Sequence, residues 1–187
     1  MKIRPLTIEG AFEITPVQHS DDRGTFLEWY RFDALAAAVG HPLDLAQANL
    51  STSARDVVRG VHFADVPPGQ AKYVTCVSGA ILDVVVDVRK GSPTFGEWEG
   101  FELDDEALLQ LYVPAGFAHG FCVTSESADV VYKLTAYYDP GLELGFRYDD
   151  PEVGIDWPAL ELAASERDSA APTLAEIADE LPFRYRS

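Results

Sequence analysis

Arg59, His62 and Lys72 stand within one apolar, strand-like stretch, VVRGVHFADVPPGQAKYV over 57–74. A histidine titrates near neutrality and is the default proton acceptor there, and cations beside it stabilise an oxyanion as it develops. A nearby carboxylate would orient the imidazole and favour the imidazolium it becomes. A tyrosine, with a pKa of about 10, is suited to hand a proton back to a carbanion or enolate. Base, acid and oxyanion donors together describe proton abstraction next to a carbonyl. Other chemistries lack their residues. The histidines are His19, His41, His62 and His119, with no H-x-H pair, short of the usual metal-ligand set. There is no G-x-S-x-G elbow, no glycine-rich phosphate loop, and no motif around Cys76 or Cys122. Each residue also has an ordinary use: a histidine or tyrosine packed in a core, an arginine or lysine on a sheet edge. Their joint occurrence beside a polar-lined strand favours the chemical reading.

The elements that must carry these groups read as short β segments at close intervals, the pattern of an antiparallel double-sheet jelly roll. They are FEITPV, TFLEWYR, LAQANLSTS, VVRGVHF, AKYVTCVSG, AILDVVVDVR, EWEGFEL, LLQLYVP, HGFCVT and ADVVYKLTAYY. Helix is confined to FDALAAAV, closed by Gly40, and to a C-terminal segment over about 173–181, where Thr173 and Glu176 have capping-box spacing. The fold expected is all-β, one jelly-roll domain over 1–187 with a few short helices. Strand alternation puts Gln47, Asn49 and Ser51 on one polar face, Phe26 and Glu28 on another, and Tyr132 and Tyr138 with Val130 and Leu134. Arg59 and His62, three apart, would point to opposite sides of a regular strand. Gly60 between them marks a bulge that returns them to one face. A hairpin through DVPPGQ would then set Lys72 beside the pair.

The formal charge of -17 excludes a nucleic-acid partner, which would need a basic stripe. It is unevenly placed: residues 1–90 hold 9 Lys and Arg against 11 Asp and Glu, and residues 91–187 hold 5 against 20. A small anionic ligand would use the first half. No run approaches the roughly 20 apolar residues of a membrane span, and the N-terminal stretch lacks a signal-peptide block, so a cytoplasmic location is expected. Cys76 and Cys122, in apolar runs, read as small buried hydrophobes.

The blocks QANLSTSARDVVRGVHF, PPGQAKYVTCVSGAILDVVVDVRKGSPTFGEW, LYVPAGFAHGF, VVYKLTAYYDPG and DDPEVGIDWP resemble, in order, the dTDP-4-dehydrorhamnose 3,5-epimerase family, over about residues 5–174. The resemblance implies a cupin-type jelly roll with no metal and no cofactor, a homodimer with strand exchange, and the substrate dTDP-4-keto-6-deoxyglucose. By resemblance His62 is the base, Asp168 its paired carboxylate, Tyr132 the acid, and Lys72 and Arg59 the groups near the keto oxygen. His119, Gln47, Asn49 and Tyr138 match substrate contacts. Arg23, Phe26 and Glu28 match a nucleotide segment crossing from the partner, and Arg167 matches a phosphate contact. Glu143, Leu144 and Val58 depart from the usual form, outside these roles. Related enzymes invert only carbon 3 or only carbon 5, which stays open here, as do a metal-dependent cupin and a silent sugar-nucleotide binder.

Overall fold

The computed structural model describes residues 1–67, 69–158 and 161–185. The chain begins with β1 (Lys2–Pro5) and β2 (Phe12–Thr15), then a hairpin of β3 (Gln18–Asp21) and β4 (Gly24–Leu27), then helix α1 (Phe32–Val39). The central strands follow: β5 (Gln47–Ala54), β6 (Val58–Ala64), β7 (Lys72–Ser78), β8 (Ala80–Asp87), β9 (Trp98–Asp104) and β10 (Gln110–Val113). After β11 (Phe117–Val123), β12 (Ser127–Leu134) and β13 (Glu143–Gly145) come helices α2 (Glu166–Ser169) and α3 (Leu174–Ile177). A six-stranded sheet in the order β1-β2-β10-β7-β12-β5 faces a five-stranded sheet in the order β13-β6-β11-β8-β9. The strand pairs of both sheets are antiparallel, so the expected jelly roll is the architecture found.

Three apolar layers hold this frame. Val74, Val85, Leu111, Phe121 and Val130 pack between the sheets. On the five-stranded sheet, Val61, Phe63, Val86 and Phe146 are covered by Leu174, Leu181 and Phe183 of the C-terminal segment. On the six-stranded sheet, Tyr73 and Tyr112 are covered by Leu35 of α1 and by Trp29 and Tyr30. α1 occupies the span expected, because Gly40 takes the left-handed conformation (φ 84°) and returns its N–H to the Ala36 carbonyl. Thr173 and Glu176 form the expected capping box on α3, which is four residues long rather than nine.

Several expectations change, α2 being a helix beyond the two expected and β12 ending at Leu134 rather than reaching Tyr138. TFLEWYR is a strand only as far as Leu27, so Glu28 lies beyond it and does not share its alternation with Phe26. The connection after β6 is not a hairpin within one sheet. β6 and β7 belong to opposite sheets, so residues 65–71 carry the chain across, and Lys72 faces β6 from the other wall. Pro68 of that turn lies outside the described residues.

The bulge is present. His62 pairs with His119 and Arg59 with Phe121, three steps on β6 against two on β11. Gly60 holds the extra residue at φ 126°, where side chains are strained. A Cβ there would stand 2.6 Å from the Gly120 Cα and 2.8 Å from the His119 carbonyl oxygen, both backbone atoms. Gly60→Ala is therefore expected to cost about 2–5 kcal/mol in urea unfolding. Gly91→Ala, at φ 82° with nothing within 4 Å, should cost about 1 kcal/mol. Equal losses would contradict the close-approach argument.

Candidate active site

Beside the inter-sheet core the two sheets enclose a cavity of about 1050 Å³. Its walls come from β5, β7 and β12 on one side and β6 and β11 on the other, closed by the segment leading into α2. β5 is patterned against the usual rule: Gln47, Asn49 and Ser51 point inward and are half-buried, while Ala48 and Leu50 face solvent, Leu50 at 64 % exposure. Polar groups are thereby offered to the cavity. The Gln47 amide donates to the Asn49 Oδ1 (2.7 Å), and its own Oε1 accepts the Tyr138 N–H (2.9 Å).

On β6, the bulge turns both Arg59 and His62 into this space. The Arg59 Nε donates to the Ser53 Oγ (2.8 Å), which steadies the guanidinium against β5. The His62 Nε2 lies 2.7 Å from Asp168 Oδ1. Asp168 is placed by its own short helix: Ser165, the N-cap, accepts the Asp168 N–H through its Oγ (3.1 Å), leaving the carboxylate directed at β6. Burial pushes the Asp168 carboxyl up, but hydrogen bonds and charge from His62, aided by Ser165, prevail and hold it below the ordinary carboxylate value. An ionised carboxylate so placed orients the ring and stabilises an imidazolium.

Tyr132 projects from β12, on the wall opposite His62. Burial raises its phenol above the ordinary value, while Asn49 and the Arg59 charge pull it back. Lys72 enters at the start of β7, its Nζ 3.4 Å from the His62 carbonyl oxygen. Burial lowers its ammonium below the usual lysine value, opposed by the charges of Glu143 and Asp83. A proton acceptor, a proton donor on the facing wall and a cation beside the acceptor can move a proton from one side of a bound carbon to the other.

Ten of the residues singled out in the sequence line this cavity, Tyr138 and Arg167 among them. Tyr138 gets there from beyond the end of β12 rather than by strand alternation. Arg23, Phe26 and Glu28 do not: they lie on or just after the β3–β4 hairpin, where Arg23 pairs with Asp21 and Phe26 is 69 % exposed. Two carboxylates escaped the sequence reading. Asp83 is fully buried with its Oδ2 2.8 Å from His119 Nε2, and its Oδ1 has no partner among the described residues. Its signal was an acid inside the apolar run AILDVVVDV, which also holds Asp87. Glu143, set aside as a loop difference, lines the cavity from β13 and accepts from Arg167 Nη1 at 2.8 Å. Among the described residues no group of three or more His, Cys, Asp or Glu side chains is arranged to hold a metal ion.

The profile of the dTDP-4-dehydrorhamnose 3,5-epimerase family matches residues 5–176. The chain belongs to that family. Its members share this frame closely. A dTDP-4-dehydrorhamnose 3-epimerase of Streptomyces niveus is 56% identical over 179 residues, covering 96% of this chain and 86% of its own. A dTDP-4-dehydrorhamnose 3,5-epimerase of Mycobacterium tuberculosis is 48% identical over 180 residues, covering 95% and 89%. The crystal structure of the 3,5-epimerase of Legionella pneumophila, in complex with dTDP-4-keto-L-rhamnose, superposes with a TM-score of 0.94 at 39% identity over 100% of this chain and 99% of that one.

The depressed Asp168 carboxyl ties stability to pH. Its ionised form stabilises the fold above the unfolded value of about 3.9, and that contribution is lost as the pH falls through the lower folded value. Asp168→Asn should therefore have a lower urea midpoint than the parent at about pH 7, with the gap narrowing below about pH 4. A gap of constant size would contradict the placement of charge on Asp168.

Proposed function

We propose that this chain is a dTDP-4-dehydrorhamnose 3,5-epimerase that converts dTDP-4-keto-6-deoxyglucose to dTDP-4-keto-L-rhamnose. The observation that carries the reading is the His62–Asp168 pair and Tyr132 on facing walls of one cavity, with Lys72 beside His62. The carbonyl at carbon 4 acidifies the protons on carbons 3 and 5. His62 takes such a proton, and the electrons it leaves pass to the carbonyl oxygen as an enolate. Lys72, with Arg59, stabilises the charge on that oxygen. Tyr132 returns a proton from the opposite face, the configuration inverts, and oxidation states are unchanged, so the balance requires no redox cofactor. Gln47, Asn49, His119 and Tyr138 hold the sugar, and Arg167 faces the phosphates.

Arg23 and Phe26 sit on a solvent-exposed hairpin, with Glu28 just after it, away from this chain's cavity. They serve as the nucleotide-binding arm of a homodimer, reaching the cavity of the second copy by strand exchange. The near-neutral first half of the chain, which carries Arg23, Arg59 and Lys72, is where a diphosphate is least repelled. No helix among the described residues is long and apolar enough to cross a membrane, and a nucleotide-sugar substrate agrees with work in the cytoplasm. A second reading has its own support: the Streptomyces relative at 56% identity is named a 3-epimerase, which favours inversion at carbon 3 alone.

His62→Asn should lower turnover by about a hundredfold to ten-thousandfold, the range of a lost general base. Its dissociation constant for dTDP should change less than about tenfold, because the uniform binding contacts remain. A His62→Asn enzyme that keeps its turnover sinks the assignment. NMR of the product separates the two readings, by inversion at both carbons or at carbon 3 only.

A further inference from the structure

The segment 18–31, which carries Arg23, Phe26 and Glu28, is tied to the barrel mainly at its ends. At its start the Gln18 amide donates to the carbonyls of Glu106 (2.8 Å) and Ala107 (3.1 Å). Between the ends, the residues of β3 and β4 are exposed apart from half-buried Leu27. At its root, aromatic rings close around one cation. The Lys133 ammonium stands 4.3 Å from the centroid of the Trp29 ring and 4.3 Å from that of Tyr30. Tyr73, the cross-strand neighbour of Lys133, meets the Tyr30 ring edge-on at 5.1 Å, and its hydroxyl lies 2.8 Å from the Trp29 carbonyl oxygen. Burial among these rings draws the Lys133 ammonium below the usual lysine value.

Lys133 takes no part in the proton transfers. It follows Tyr132 in β12, so strand alternation directs it to the outer face of the six-stranded sheet, away from the cavity. A charge drawn into a ring cluster is held by the electron-rich ring faces, an attraction that strengthens as water is excluded. The rings it holds are the residues that follow Glu28.

We propose that Lys133 is a positioning residue for substrate binding: by clamping Trp29 and Tyr30 to the outer face of β12, it sets the projection of the arm that bears Arg23, Phe26 and Glu28. The inference rests on the nucleotide-sugar reading and adds to it a second group on β12, one facing the cavity and the other anchoring the arm. The same strand thus registers the proton donor and the nucleotide contacts against each other.

The test compares the parent with Lys133→Met, which keeps the apolar stem and loses the cation, and Lys133→Arg, which keeps a cation able to stack on rings. Calorimetric titration with dTDP and steady-state kinetics are measured on each. Lys133→Met is expected to weaken dTDP binding and raise KM by roughly fivefold to tenfold, with kcat changed less than about twofold. Lys133→Arg is expected to recover most of that loss. Trp29→Leu, which removes one ring and leaves the cation, should move the same two quantities in the same direction. A fall in melting temperature and kcat with KM and dTDP affinity unchanged would mark Lys133 as a packing residue only and overturn the inference. A parent enzyme that fails to bind dTDP would overturn the nucleotide-sugar reading and this inference with it.

Discussion

Backbone contact between two glycines decides where His62 points. Gly60 and Gly120 approach so closely that a side chain at Gly60 would meet the β11 backbone, and β6 gains one residue on β11 at that step. Without it, strand alternation would turn Arg59 and His62 to opposite faces, and one of them would be buried in the layer under the C-terminal segment. With it, the guanidinium and the imidazole share the cavity. The apolar layers on either side of the barrel keep the constraint in place, because β6 and β11 are packed on the outer face of their sheet by Phe146, Leu181 and their neighbours.

A cavity lined with ionisable groups is costly in an apolar frame, and the structure offsets that cost by pairing. His62 meets Asp168, His119 meets Asp83, Arg167 meets Glu143, and Arg59 meets Ser53. Lys72 and Arg59 both lack a carboxylate at contact distance among the described residues, and the Lys72 charge is supported at longer range by Glu143 and Asp83. Both cations therefore stand to gain from negative charge arriving on a bound oxygen. The inverted β5 completes the lining: it exposes Leu50 to solvent so that Gln47, Asn49 and Ser51 can face inward.

Much of this was legible in the residues. Gly40 ends α1 where its left-handed conformation demands, Thr173 and Glu176 form their box, and the glycine inside VVRGVHF is a bulge. These features are local, set by one to four neighbouring residues. What stayed hidden depends on chain pairing at a distance. Asp168 is 106 residues from His62, a separation no spacing rule spans. β1, β3 and β13 are three or four residues long and exist through their partners more than through their own pattern. Lys72 returns on the opposite sheet because the connection before it crosses between layers, which strand pattern alone does not distinguish from a hairpin. Glu143 looked like loop variation because its Arg167 partner lies in the distant α2.

In the proposed mechanism, removal and return of the proton belong to different walls of one cavity. The direct measurement is Tyr132→Phe incubated with dTDP-4-keto-6-deoxyglucose in heavy water, followed by NMR of the recovered sugar. Deuterium entering next to the carbonyl with configuration retained, while the parent enzyme exchanges and inverts, is the result this arrangement predicts: His62 still removes the proton and gives one back from the same side. Inversion that survives the loss of the Tyr132 hydroxyl would contradict it.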